Sequence, residues 1–267
     1  MDQQHPSPSR WAIVLAGGEG TRMQPLVHRW LGFNRPKQYC AFVGSRSMFQ
    51  HTVDRAALVT APERIVAVVG RDHRDEILTQ LQGRTIGQVI YQPRNCETAA
   101  GLFLPLTYIH ALAPDATVVI FPSDHFIHPE DRFLAAVRRI AGLAETMPDR
   151  LVLLGIRPDR LEMEYGWILP GAALSSQEDA PLCEVHSFME KPNRIQAVKA
   201  FRHGALWNTF VFAARAELLW QVGTRCLPDV MRRFERLRSV IGRSQEAEVL
   251  DAIYEDMPAY NVSTTLL

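Results

Sequence analysis

Residues 11–38 read WAIVLAGGEGTRMQPLVHRWLGFNRPKQ, and the rest of the chain is best understood outward from them. Trp11–Leu15 is a short apolar run of the kind that forms a buried strand. It enters Gly17-Gly18-Glu19-Gly20 directly, followed by Thr21, Arg22 and, further on, Pro36 and Lys37. Closely spaced glycines let the backbone take positive φ and lie against a ligand with no Cβ in between. Successive N–H groups in such a turn make a concavity that suits anions. Arg22 brings a planar cationic fork and Lys37 a point charge. The stretch reads as a cradle for a triphosphate.

Two familiar phosphate loops do not fit. A P-loop needs Gly-Lys-Ser/Thr at its end, and no Gly-Lys pair lies near here. The dinucleotide fingerprint, read in the register of Gly18 and Gly20, meets Met23 at its third glycine. The composite Gly-Gly-x-Gly-Thr-Arg, Pro25-Leu26, Pro36-Lys37-Gln38 instead resembles the signature of the sugar-nucleotidyltransferases. That family joins a sugar 1-phosphate to a nucleoside triphosphate. The resemblance assigns Leu15, Ala16, Gly17, Gly18, Gly20 and Thr21 to the nucleotide, and Arg22 and Lys37 to phosphate chemistry.

Whole-chain composition sets the bounds. The 267 residues suffice for one large α/β domain, and 47% are apolar. Lys plus Arg and Asp plus Glu each number 29, so no charge excess points to nucleic acid or a membrane surface. Residues 1–10, polar and proline-containing, read as a flexible N-terminus without a signal peptide's apolar core. Cys40, Cys96, Cys183 and Cys226 lie far apart in sequence and read as separate reduced thiols, which with the rest gives a cytoplasmic expectation.

Downstream, Ser47–Val59 and Arg71–Leu81 have helical spacing, while Ile65–Val69, Gly87–Tyr91 and Thr117–Phe121 read as strands. A strand–helix–strand rhythm with apolar strands predicts a mainly parallel sheet sandwiched by helices, with ligands outside the strands' carboxyl ends. Gln92-Pro93-Arg94-Asn95-Cys96-Glu97-Thr98-Ala99 follows a strand. Its amides suit a base or ribose edge, or else Asn95 or Thr98 caps a helix from Ala99 onwards. The segment resembles Gln-Pro-x-Asn-x-Gly-Thr-Ala of the mannose-1-phosphate guanylyltransferases, which assigns Gln92, Asn95 and Thr98 to the nucleotide. Glu97 stands where that group usually has glycine.

Thr117–Phe121 delivers Pro122-Ser123-Asp124-His125. A carboxylate at a strand's carboxyl end beside a triphosphate loop is a natural Mg²⁺ ligand, and the family's Asp-His pair assigns the metal to Asp124. A helix is expected over 130–145 and a strand over 151–156, then short strands between loops. Tyr165-Gly166-Trp167-Ile168, Phe188-Met189-Glu190-Lys191-Pro192 and Trp207-Asn208-Thr209 resemble the family's sugar-binding segments. They assign Gly166, Glu190 and Asn208 to the sugar and Lys191 to its phosphate. Phe210 stands where a glycine usually follows. Three helices are expected between 214 and 256. The family's Trp-x-Asp-x-Gly-Ser segment, with its second metal-binding aspartate, is not found, so the resemblance covers about residues 11–260.

The expectation is therefore a Rossmann-like α/β sandwich in a single domain over 11–267. Residues 11–150 form a nucleotide half, 151–215 a sugar-phosphate half and 216–267 a helical tail. The partners are a nucleoside triphosphate and a sugar 1-phosphate, with Mg²⁺ as cofactor; GTP and mannose 1-phosphate are favoured. Thymidylyl or uridylyl transfer to glucose 1-phosphate and a non-catalytic nucleotide-sugar-binding regulatory homologue are the alternatives. The oligomeric state is left open, a homodimer included.

Overall fold

The structure is a computed structural model that describes residues 10–175 and 181–266. The expected N-terminal tail up to residue 9 and Leu267 lie outside the described residues, while Arg10, expected in that tail, opens the first strand. The strands are β1 (Arg10–Ala16), β2 (Ile65–Gly70), β3 (Gln88–Gln92), β4 (Thr117–Pro122), β5 (Val152–Ile156), β6 (Gly166–Ser175), β7 (Leu182–Glu190) and β8 (Leu206–Arg215). The helices are α1 (Gln24–Leu31), α2 (Met48–Ala57), α3 (Arg74–Gln80), α4 (Glu97–Leu112), α5 (Glu130–Thr146), α6 (Arg194–Arg202), α7 (Ala216–Cys226), α8 (Pro228–Arg238), α9 (Glu246–Glu255) and α10 (Val262–Thr265).

Among the described residues the strands form one mixed sheet in the order β3-β2-β1-β4-β8-β6-β7, with β5 also paired to β8. The first four strands are mutually parallel. Side chains alternate across β1, as a two-faced strand requires. Ile13 enters the core under α4, α7, α8 and α9, whereas Ala12, Val14 and Ala16 enter the core under α2, α3 and α5. α4 is apolar on nearly every side because it lies between the sheet and the C-terminal helices.

β8 runs antiparallel to β4, so its first residues lie at the same sheet edge as the carboxyl end of β4. β6 overlaps β8 only through Trp167 and Ile168, and the rest of the β6–β7 hairpin projects past the start of β8. The sequence predicts short strands here. β6 and β8 are each 10 residues long and β7 is 9, because β6 and β7 satisfy each other's backbones in the hairpin ladder while β8 is paired by β4 and β5 as well as by β6. α6 was not expected from the apolar spacing. Its start is a reciprocal capping box, with Asn193 Oδ1 accepting from Gln196 N and Gln196 Oε1 accepting from Asn193 N.

Candidate functional site

The glycine-rich loop leaves β1 and turns at Gly20, whose φ of 62° is one that side chains rarely adopt. A Cβ on Gly20 would also sit 3.1 Å from Lys37 N. What holds the loop is Gln38, only 2% exposed, whose Nε2 donates to Ala16 O at 3.0 Å and to Gly18 O at 2.7 Å. Ser123 ties the loop to β4, its N and Oγ both donating to Leu15 O. The carbonyls of Leu15 and Ala16 are thus consumed by the scaffold. Gly18 is exposed, and a Cβ there would meet nothing within 4 Å.

Lys37 and Asp124 come together, with Nζ 2.6 Å from Oδ2. Burial works against the charge of Asp124. The adjacent His125 and the hydrogen-bonded Lys37 ammonium outweigh it, holding the carboxyl below the ordinary carboxylate range. Burial pushes the His125 imidazole's pKa down against the pull of Asp124, so the ring is neutral near pH 7. Arg55 of α2, 4% exposed, donates to His125 O at 3.3 Å and so holds the segment that carries Asp124.

Arg22 stands apart from this pair. It meets Glu164 Oε2 at 3.0 Å in an exposed contact, the two side chains being 71% and 60% accessible. Such a pair contributes little stability, and Arg22 is free to move. Thr21, beside it in the same 3₁₀ turn, is exposed.

A second corner forms where β6, β7 and β8 meet. Gly166 pairs with Glu190 across the ladder. A Cβ on Gly166 would lie 2.7 Å from Phe188 Cζ, 2.8 Å from Glu190 Oε2 and 3.3 Å from Asn208 Cβ. Three of the four expected sugar residues are therefore in contact. Lys191, the fourth, is exposed at φ 46° with its N donating to Tyr165 O. Burial raises the Glu190 pKa, which Lys191 partly opposes. Asn208 Oδ1 accepts from Phe210 N at 3.0 Å.

The 92–99 segment differs from expectation. α4 begins at Glu97 rather than Ala99, and neither Asn95 nor Thr98 is its N-cap; Cys96 is, without a side-chain bond. Asn95 Oδ1 instead accepts from Glu97 N. Thr98 Oγ1 accepts from Val262 N, and Ala99 N donates to Tyr260 O, so the tail covers this helix start. Gln92 is buried, its Nε2 donating to Arg94 O while its Oε1 lies 3.2 Å from where a Gly17 Cβ would be. Sequence reasoning missed the work of Gln38, Ser123 and Arg55, for which no local spacing gives a signal.

The chain as a whole is similar to known proteins. A family model described as nucleotidyl transferase covers residues 11–235. The chain belongs to the nucleotidyl transferase family. It is 31% identical to a mannose-1-phosphate guanylyltransferase of Escherichia coli K12, over 86% of this chain and 48% of that protein. It is 34% identical to the xanthan biosynthesis protein XanB of Xanthomonas campestris pv. campestris, over 76% and 42%. The chain thus spans about half the length of the curated relatives it matches. A Thermus thermophilus structure described as a mannose-1-phosphate geranyltransferase superposes with a TM-score of 0.78 at 27% identity, over 97% of this chain and 70% of that one.

Proposed function

We propose that the chain transfers a nucleotidyl group from GTP to mannose 1-phosphate, releasing pyrophosphate. The observation that carries the reading is the shared edge: the Lys37–Asp124 pair beside the glycine-rich loop, and the Gly166–Glu190–Asn208 corner beside the start of β8. The relatives named mannose-1-phosphate guanylyltransferase support the choice of nucleotide and sugar.

The nucleophile is a phosphate oxygen already largely ionised near neutrality, since a phosphate monoester's second pKa is about 6, so no general base is needed. The chain's task is to align that oxygen with the α-phosphorus and to stabilise the leaving charge. The amides around Gly18 and the Arg22 fork would receive the leaving pyrophosphate. Lys37 and Lys191 would position the phosphates, and Glu190 and Asn208 would orient the sugar hydroxyls. Gln92 and Asn95 would contact the ribose or base.

Asp124 fits Mg²⁺ by its chemistry: a hard, ionised oxygen donor next to the anion loop, for a metal bound through one or two carboxylates plus substrate phosphates. Among the described residues no cluster of three His, Cys, Asp or Glu side chains forms a cage, which suits a metal that takes its other ligands from substrate. When bound, the ion would supply positive charge against the polyphosphate.

The test is pyrophosphate release over a matrix of four nucleoside triphosphates and several sugar 1-phosphates with Mg²⁺. GTP with mannose 1-phosphate should exceed every other pair, and Asp124→Asn should lower turnover about 100- to 1,000-fold without loss of fold. A different preferred pair, or full activity in Asp124→Asn at saturating Mg²⁺, would overturn the reading.

A further inference from the structure

The contact between Lys37 and Asp124 has two consequences for how a metal reaches the site. Lys37 Nζ lies 2.6 Å from Oδ2, a full charge-assisted bond. Oδ1 is 3.9 Å from His125 Nε2, too far for a hydrogen bond, so the lysine is the close cationic partner of this carboxylate. Among the described residues no group of three or more His, Cys, Asp or Glu side chains forms a ready-made metal cage. A hydrated Mg²⁺ arriving alone would therefore compete with a bonded ammonium for a single carboxylate. It would also be repelled by that ammonium at close range.

The stem of the same lysine lies on the glycine-rich loop. A Cβ on Gly20 would fall 3.3 Å from Lys37 Cγ and 3.1 Å from Lys37 N. Backbone and stem are therefore anchored on the loop while the ammonium reaches across to Asp124. The lysine stem has several rotatable bonds, so Nζ can swing from the carboxylate to a phosphate above the loop without any backbone change. A polyphosphate brings the anionic oxygens that draw the ammonium away, and those oxygens complete the coordination that Asp124 alone cannot provide.

We propose that Lys37 is a displaceable counter-ion that keeps divalent metal off Asp124 until a triphosphate draws its ammonium onto the glycine-rich loop. Metal then loads only together with nucleotide. The inference rests on the reading of Asp124 as the metal's protein ligand, and it adds the order of binding and the residue that sets it.

Mn²⁺ serves as the probe, with free ion counted by electron paramagnetic resonance in the presence and absence of GTP. No turnover is needed for this readout. The 267-residue chain should bind Mn²⁺ weakly alone and at least tenfold more tightly with GTP. Lys37→Met should gain at least tenfold in Mn²⁺ affinity without nucleotide, and Lys37→Arg, which keeps the charge, should not. Adding Asp124→Asn to Lys37→Met should erase the gain, which ties it to this carboxylate. Circular dichroism on each variant confirms that the fold is retained. Unchanged or weaker nucleotide-free Mn²⁺ binding in a folded Lys37→Met overturns the proposal, as does an equal gain in Lys37→Arg. Failure of the underlying reading looks different: Asp124→Asn alone would then bind Mn²⁺ with GTP as tightly as the parent does.

Discussion

The two ends of the candidate site are built from different materials. The glycine-rich loop is a surface of backbone: Gly18 is exposed, no described residue comes within 4 Å of where its Cβ would be, and a buried amide beneath, Gln38, fixes its path. The Gly166 corner is a surface of side chains, filled by the protein itself, with Phe188, Glu190 and Asn208 pressed against the one residue that has no side chain. A glycine in the first region leaves room for a ligand. In the second it leaves room for its neighbours. The first arrangement tolerates change until a ligand arrives, and the second does not.

Gly166→Ala should break the corner proposed to hold the sugar most severely. Its Cβ would need to displace Phe188 or Glu190, and misplacement of about 1 Å near the reacting groups costs ~100-fold. kcat/KM for the sugar 1-phosphate should fall by about that factor while nucleotide affinity, read by direct titration, stays near the parent's. Gly18→Ala should behave in the opposite way. The Cβ has free space, so the melting temperature should hold within a degree or so, yet nucleotide affinity should drop about tenfold because the methyl occupies the ligand's side of the loop. If Gly18→Ala binds nucleotide normally, the ligand does not lie on that face and the contrast between the two glycines fails. Gln38→Ala attacks the same loop from beneath. Two lost hydrogen bonds to buried or half-buried carbonyls should weaken nucleotide binding by about tenfold, with a loss of stability that Gly18→Ala lacks.

How much of this was readable beforehand follows from the range of the interactions. The strand runs, the helices from Ser47 to Leu81 and the position of Asp124 at the end of β4 depend on local periodicity, and they are found where that periodicity put them. Gly166, Glu190 and Asn208 could be gathered into one corner only by resemblance, because nothing local to residues 166, 190 or 208 reveals that three strands meet there. Thr98 shows the limit most clearly. Its hydroxyl and the neighbouring Ala99 amide are taken by Val262 and Tyr260, more than 160 residues along the chain, and no spacing within 92–99 foretells it. α6 is a different kind of omission, since Asn193-x-x-Gln196 carries its signal in plain sequence.

Glu190 offers a subtler way to sharpen the comparison. Burial raises its pKa, with Lys191 opposing, so the proton is taken up at a higher pH than by an ordinary glutamate. A protonated carboxyl accepts fewer hydrogen bonds from sugar hydroxyls. Affinity for the sugar phosphate should therefore weaken several-fold as pH falls through this raised value, while nucleotide affinity is unmoved by Glu190. For stability the sign is reversed: the raised carboxyl disfavours the folded state at pH above both its folded and unfolded values, and that penalty is relieved on acidification. Glu190→Gln should flatten the sugar-side profile. An identical pH profile in parent and Glu190→Gln would remove this carboxylate from the sugar contact.

The smallest effect separates the two regions by sign. Glu97 and Phe210 stand at the two places where the resembled sequences usually carry glycine, and their φ values are 63° and 55°, both in the left-handed region. Residues with a Cβ cost roughly 1–2 kcal/mol there, so each substitution retains a strain that glycine relieves. What differs is what the side chain returns. Glu97 is exposed and has no side-chain partner among the described residues, so its removal forfeits little. Phe210 is half-buried, packs on the core under α4 and meets Phe212 edge-on at 5.8 Å. Glu97→Gly should therefore stabilise the chain by about 1 kcal/mol, a rise of roughly 2–4 °C in melting temperature for a domain of this size. Phe210→Gly should lose more in packing than it gains in backbone, since removing a large aromatic side chain from a core costs ~3–5 kcal/mol and a half-buried one less. A net loss of about 1 kcal/mol is expected from the difference between those two contributions. Equal and positive shifts in both variants would mean that Phe210 contributes no packing that offsets its backbone strain.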